Sequence, residues 1–219
     1  MTTGTESLSP DHATDPGNWT TRTRSRITGL VPTGQALPDR QPVYVASWIY
    51  VFGVLTLAAL AVVIVSGSAL ALGGSAWYHV SSLGLFFNSV HLWSVELFFA
   101  FMVIHLWGKF WMAAWRGGRA LTWITGVVLF LTSIGTAFTG YLSQTNFDAQ
   151  WIAAEAKDGL DAVGIGAFFN VLNPGQMLLW HVVLLPFTVG AITVLHIILI
   201  RRHGVVPPID ADLSVEKEA

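Results

Sequence analysis

Four histidines sit inside otherwise apolar sequence, in two runs: His91 and His105 within residues 88–105, and His181 and His196 within residues 180–201. The first two are 14 residues apart and the second two 15 apart. On an α-helix with about 3.6 residues per turn and about 1.5 Å rise per residue, both separations approach four turns, so each pair shares one face at two depths ~21 Å apart. Two such helices side by side offer two stacked sites with two imidazoles each. Bis-histidine haem ligation needs that arrangement, because the iron takes one axial nitrogen on either side of a macrocycle slotted between helices. A single intramembrane histidine also has a plainer reading as a hydrogen-bonded core residue or a proton relay. Four at two matching spacings favour ligation. His12, His79 and His203 fall in tail or loop sequence and are read as non-ligands. Met102, Met112 and Met177 are read as gap-fillers.

The elements that must position these side chains are membrane helices. The chain is 53% hydrophobic and 11% charged with a mean hydropathy of +0.58, against roughly a quarter charged in a soluble domain. The expected fold is an all-α membrane protein, a bundle of four transmembrane helices. No cysteine is present, which excludes disulfides, thiolate iron–sulfur ligation, zinc fingers and the Cys-x-x-Cys-His attachment of a c-type haem. Any haem is therefore held noncovalently. The net charge of -2 gives no indication of a nucleic-acid partner.

Residues 1–40 are polar and carry Arg22, Arg24, Arg26 and Arg40, with no apolar core before Val43 to suggest a secretory signal. They read as a polar tail (1–17) and a surface segment (18–40), with either a short interfacial helix over Trp19 to Leu30 or no structure at all. Between Gln41 and Val95 there is no Asp, Glu, Lys or Arg, more than the ~20 residues one span needs. The Gly73-Gly74-Ser75 break divides it into a first helix (43–72) and a loop. Further helices are expected over 85–115, 121–142 and 176–200, with a surface helix near 150–161 in the polar loop between the last two, and residues 203–219 as a solvated tail. Of the eleven Lys and Arg residues, all but Lys157 lie in or beside the termini and the 116–119 turn. The positive-inside rule then puts both termini in the cytoplasm, with His91 and His181 towards the outer face and His105 and His196 towards the inner.

The first and third helices repeat the period in glycine. Gly53 and Gly67 are 14 apart, as are Gly126 and Gly140. Glycine is costly within a helix and suits places where something approaches the backbone closely. Packing through small residues is the alternative; the shared period favours a haem site. Glu96 stands apart. At about 100° per residue it is turned ~140° from His91 and ~180° from His105, so it points away from the histidine face. It reads either as a contact to a partner helix or proton site, or as a neutral carboxyl bonded to a hydroxyl.

Several ordered motifs resemble the N-terminal four-helix half of the cytochrome b/b6 family: Ser89-Val-His-Leu-Trp-Ser94, Arg119-Ala-Leu-Thr-Trp-Ile-Thr-Gly-Val-Val128 closing at Thr139-Gly-Tyr141, and the stretch from His181 to Gly204 with Pro186. The resemblance spans residues 19–208. The 15-residue spacing and the ending Ile200-Arg-Arg-His-Gly204 are similar to the split, plastoquinol-complex form. It implies a diheme subunit of a Rieske/cytochrome b type quinol-oxidising complex. His91 with His181 would ligate an outer b-type haem and His105 with His196 an inner one, with Arg119 and Arg201 meeting the inner propionates. A quinone or quinol is the implied substrate. The implied partners are a Rieske iron–sulfur protein, a separate C-terminal-half subunit bearing a Pro-Glu-Trp-Tyr motif, a cytochrome c-type acceptor and a second copy of the complex. A bacterial plasma membrane is the expected location.

Departures from the family fall mainly at the outer end. Gly140-Tyr-Leu-Ser-Gln-Thr145 replaces the usual Gly-Tyr-x-Leu-Pro-Trp, although Trp151 restores the register. Asn88 and Leu92 stand at the family's arginines beside the first ligand, and Val51 where the split form can carry a cysteine for an additional haem. A quinone-reactive haem anchor of another dehydrogenase or reductase is therefore the second functional reading, and a non-redox scaffold or transporter the third.

Overall fold

The computed structural model describes Trp19, Thr23, Arg26, residues 43–144 and residues 146–210. Residues 1–41 form a unit of their own. Within it Trp19, Thr23 and Arg26 are helical, and the Thr23 hydroxyl donates to the Trp19 carbonyl at 2.8 Å. The rest of the expected surface helix and tail lies outside the described residues, as do residues 211–219.

From residue 42 onwards the described residues form helices joined by turns: α1 (Trp48–Val80), α2 (Ser82–Trp111), α3 (Ala120–Leu142), α4 (Phe147–Ala162) and α5 (Pro174–His203). A 3₁₀ turn, Val43–Ala46, precedes α1. Four of them (α1, α2, α3 and α5) are long and apolar enough to cross a membrane, so the chain is a multi-pass membrane protein. At ~1.5 Å per residue the 33 residues of α1 reach about 50 Å, well beyond a ~30 Å hydrocarbon core. α1 packs along α2, and α3 along α5. The mostly apolar perimeter, including Val54, Leu131 and Phe187, is exposed, as suits a lipid-facing surface.

Gly73-Gly74-Ser75 does not end the first helix as expected. Gly74 adopts φ 77, ψ 166, a conformation open to glycine, and the helix resumes beyond it to Val80. The expected loop with Tyr78 and His79 is thus the last turn of α1. A single residue, Ser81, joins α1 to α2: its N–H donates to the Trp77 carbonyl at 3.0 Å and its hydroxyl accepts from the Gly84 N–H at 2.9 Å. α2 begins three residues earlier and ends four earlier than expected. The basic turn that follows uses positive φ at Ala113, Gly117 and Gly118.

α4 is longer than the surface helix read from sequence, because Asn146 caps it by accepting from the Ala149 N–H at 2.8 Å. Its Ala149 and Ala153 are buried; Ala153 packs with Leu142, Val171 and Met177. α5 opens on an Asn173 cap with Pro174 in its first turn. It then passes through one π turn, Trp180–Leu184, before continuing as α-helix from Leu185. A π turn takes up one residue more than an α turn. It therefore accounts for 15 residues between His181 and His196 where α2 needs 14.

The segment after α5 is not a free tail at its start. Tyr50 donates to the Val206 carbonyl at 2.7 Å, and Arg116 donates to the carbonyls of Pro207 and Pro208, each at 2.7 Å. Val206 and Pro207 are buried. Residues 204–208 thereby lie across the end of the bundle that carries the arginines.

Candidate haem-binding site

The four histidines face the interior at two levels. At the level of the α1–α2 junction, called the loop end here, the His91 and His181 rings stand with centroids 6.1 Å apart and planes at 81°. At the other level, the basic end, His105 and His196 lie within electrostatic reach of each other. The 6.1 Å separation leaves room for one metal atom bonded to each ring at about 2 Å. A cavity of 460 Å³ opens around the first pair, lined by His91, His181, Gly67, Phe98, Ser133 and Thr136 among others.

Each histidine is turned by its other ring nitrogen. His91 Nδ1 donates to the Val63 carbonyl and the Ser66 hydroxyl, both at 3.1 Å. Ser66 passes its own proton to the Val62 carbonyl at 2.7 Å and so can accept. His181 Nδ1 donates to the Thr136 carbonyl at 2.8 Å. His196 Nδ1 meets the Thr125 hydroxyl at 2.9 Å, whose proton goes to the Thr122 carbonyl. A carbonyl can only accept, so Nδ1 carries the hydrogen and the Nε2 lone pair is left for a metal. That division of the two nitrogens is the usual one for a metal-ligating histidine. His105 differs, since its Nδ1 is buried with no partner. The residues present fit a haem held between paired imidazoles.

The four glycines do what their spacing suggested, although the group that approaches them is the imidazole. A Cβ on Gly53 would stand 3.1 Å from His105, one on Gly67 2.9 Å from His91 and one on Gly126 3.2 Å from His196. On Gly140 it would overlap the His181 ring. Each glycine notch thus seats one histidine. By contrast a Cβ on Gly135, in the same helix as Gly140, would meet nothing within 4 Å among the described residues.

Residues that type and spacing did not single out complete the arrangement. Ser66, Thr125 and Thr139 each precede one of these glycines; Ser66 and Thr125 bond histidines directly, while the Thr139 hydroxyl donates to the Thr136 carbonyl at 2.9 Å. That carbonyl is the one His181 uses. The fourth glycine, Gly53, follows Phe52, which has no hydroxyl, and its histidine is the unpartnered His105. A Ser/Thr-Gly dipeptide at the histidine period was the available signal. Lys109, one turn beyond His105, places its ammonium 3.8 Å above the Tyr50 ring centroid and 3.8 Å from the Met112 sulfur. Arg119 reaches the Gly204 carbonyl at 3.4 Å, while Arg201 is exposed. At the loop end Gln144 donates to Asn88 at 3.5 Å, joining the end of α3 to α2.

A sequence model of the family described as cytochrome b(N-terminal)/b6/petB matches residues 96–219, more than half of the chain. The chain is 28% identical over 216 residues to cytochrome b6 of Heliobacterium mobile, covering 87% of this chain and 99% of that protein. It is 32% identical over 137 residues to the cytochrome bc complex cytochrome b subunit of Chlorobaculum thiosulfatiphilum, covering 58% of this chain and 32% of that one. The chain thus spans about a third of that relative, and half of the cytochrome b of Schizosaccharomyces octosporus. A solved chain titled hyperthermophilic respiratory Complex III shares the fold with a TM-score of 0.70 at 21% identity, over 88% of this chain and 58% of that chain. A match of that extent, on a four-span helical fold with histidines facing inward at two levels, identifies the chain as a member of the cytochrome b N-terminal/b6 family, whose members bind b-type haem and transfer electrons.

Proposed function

We propose that the chain is a diheme transmembrane electron carrier, with His91 and His181 ligating one noncovalent b-type haem and His105 and His196 a second, ~21 Å away along the helices. The observation that carries this is the fourfold repeat of one unit, a histidine seated on a glycine of the neighbouring helix. Three of the four also fix Nδ1 by hydrogen bonds. Haem supplies the one-electron chemistry when bound. The protein orients the ligands, excludes water with apolar helices and sets the local charge.

Charge is divided between the ends. Lys109, Arg116, Arg119, Arg201 and Arg202 gather at the basic end, where Lys109, Arg119 and Arg201 would balance haem propionates and an anionic quinone species. The one basic side chain in the 143–175 segment at the loop end, Lys157, is paired with Asp161 at 2.6 Å. Electrons would therefore be drawn from the loop end to the basic end, since nearby positive charge favours the reduced form. The positive-inside rule makes the basic end cytoplasmic in a bacterial plasma membrane.

Relatives named as cytochrome b6 and as a cytochrome bc complex subunit support placing the chain in a quinol-oxidising complex with a Rieske protein, a separate C-terminal-half subunit and a cytochrome c-type acceptor, the whole as a homodimer. The contact of Gln144 with Asn88 favours a second reading, a quinone-reactive haem anchor of another dehydrogenase or reductase, because it alters the end where quinol would be oxidised. Affinity purification from native membranes separates them. The first reading expects a Rieske protein and a subunit bearing Pro-Glu-Trp-Tyr; a soluble dehydrogenase with neither would establish the second.

Thr125→Val keeps the side-chain shape and removes the hydroxyl that accepts from His196 Nδ1 at 2.9 Å. Loss of such a supporting contact typically costs about 10–100-fold in metal affinity. Haem titration of the apoprotein should show that weakening at the basic end only. Ser66→Ala should likewise leave His91 on the Val63 carbonyl at 3.1 Å and weaken only the loop-end haem.

A further inference from the structure

Glu96 lies at the centre of α2, with 14 residues to Ser82 and 15 to Trp111, so about 21 Å of helix extends on either side. It is exposed, and it makes no hydrogen bond or ion pair with the described residues. Its neighbours on the same flank, Ser89, Trp93, Leu97, Ala100 and Val103, are exposed as well. The flank is turned away from His91 and His105, so the carboxylate plays no part in haem ligation. A glutamate side chain is too short to reach water across the roughly 15 Å to either edge of a ~30 Å hydrocarbon core. A polar partner must come to it, because an unpaired carboxylate at that depth is strongly disfavoured.

A second copy of this chain supplies no cationic partner at that depth. Between Gln41 and Trp107 there is no Lys or Arg, and the basic residues nearest the other spans sit at their ends. The four span histidines face inward on their glycines. Two copies meeting on this flank would set Glu96 against apolar side chains, the Ser89 hydroxyl, the Trp93 indole or its own equivalent, none of them a cation. On the side of this flank that carries Trp93 and Leu97 an apolar groove of 570 Å³ runs between α1 and α2, lined in part by Ala58, Ala59, Ser89, Val90, Trp93 and Leu97, with Glu96 outside its lining. Small residues of this kind let a helix backbone approach closely within a membrane.

We propose that this flank of α2 seats a transmembrane helix of a different subunit, which presents a basic, hydrogen-bond-donating side chain to Glu96 at mid-membrane. Ala58, Ala59 and Ser89 admit the helix backbone, Trp93 and Leu97 pack beside it, and the Glu96 carboxylate fixes its depth and rotation. The proposal concerns a face away from the haems and stands or falls separately from the diheme reading.

The chain has no cysteine, so a single introduced cysteine reports one position. Ala100→Cys, labelled with a photoactivatable reagent in native membranes, should cross-link to one heterologous membrane polypeptide, with the adduct within a helical turn of a donor residue. Leu131→Cys, on the exposed face of α3, serves as the comparison and should not reach the same site. Glu96→Ala should largely abolish copurification of that polypeptide while haem content is unchanged, and Glu96→Gln, which keeps an acceptor, should retain it. Cross-links to lipid alone or to a second copy of this chain would overturn the proposal. So would undiminished copurification with Glu96→Ala. If Glu96→Ala does not accumulate, the mapped adduct decides: an adduct with no donor within a turn overturns the proposal, and one beside a donor upholds it.

Discussion

Gly140→Val is expected to reduce the haem content of the chain from two to one, with the basic-end haem retained. A Cβ at this position overlaps the His181 ring, and valine adds two methyl groups on a stiff side chain. α3 and α5 must then move apart or His181 must leave its seat, and either change breaks its hydrogen bond to the Thr136 carbonyl. Axial ligation does not survive displacement on that scale, because iron–imidazole bonds are short and directional. Gly135→Ala is the natural control, being in the same helix with nothing near its Cβ position. It should keep both haems. Alanine at the four notches should be graded in the same sense, harshest at Gly140, then at Gly67 with 2.9 Å, and mildest at Gly53 with 3.1 Å and Gly126 with 3.2 Å. Haem per polypeptide after purification reads all of these.

The second large effect is in the pairing of ligands. His91→Ala and His181→Ala should each remove the same haem, and the double variant should lose no more than either alone. His105→Ala and His196→Ala should do the same for the other haem. One substitution from each pair, such as His91→Ala with His196→Ala, should leave none. This pattern is non-additive within a pair and additive between pairs, as expected for residues that act on one group and for sites that are far apart. A loss that followed helices instead, with His91→Ala and His105→Ala equivalent, would contradict the assignment.

The site was legible in the sequence to the extent that it repeats. Histidines and glycines at a common period needed only helix geometry to be placed on facing surfaces, and the length of the apolar runs gave the four spans. Features that depend on a single backbone irregularity were not legible in that way. A Gly-Gly-Ser break can end a helix or bend it, and only the positive φ at Gly74 with Ser81 serving both helices decides for a bend. The π turn at Trp180–Leu184 leaves a mark in the 15-residue spacing, but a tolerance of one residue in a four-turn estimate conceals it. The strap at residues 204–208 looks polar and proline-rich, as a solvated tail does; it is held by Tyr50 and Arg116, more than 90 residues away in sequence. In the sequence Lys109 counts only as one of the cations that orient the helices, since its contact is with the Tyr50 ring and periodicity carries no signal for such a contact.

The two ends of the molecule are built differently. At the basic end the cations and the histidine pair agree with a haem-bearing site. At the loop end both histidines bond through Nδ1, their rings stand 6.1 Å apart, and Gln144 meets Asn88. Ligation and quinone chemistry are thus separable properties here, and the first can hold whatever the second proves to be.

The central claim is that this one chain holds two b-type haems, and a dithionite-reduced minus oxidised spectrum of the purified chain, produced with adequate haem, tests it most directly. The account predicts the b-type α-band with two haems per polypeptide. Absence of haem, or a single haem that survives replacement of any one of the four histidines, would contradict it.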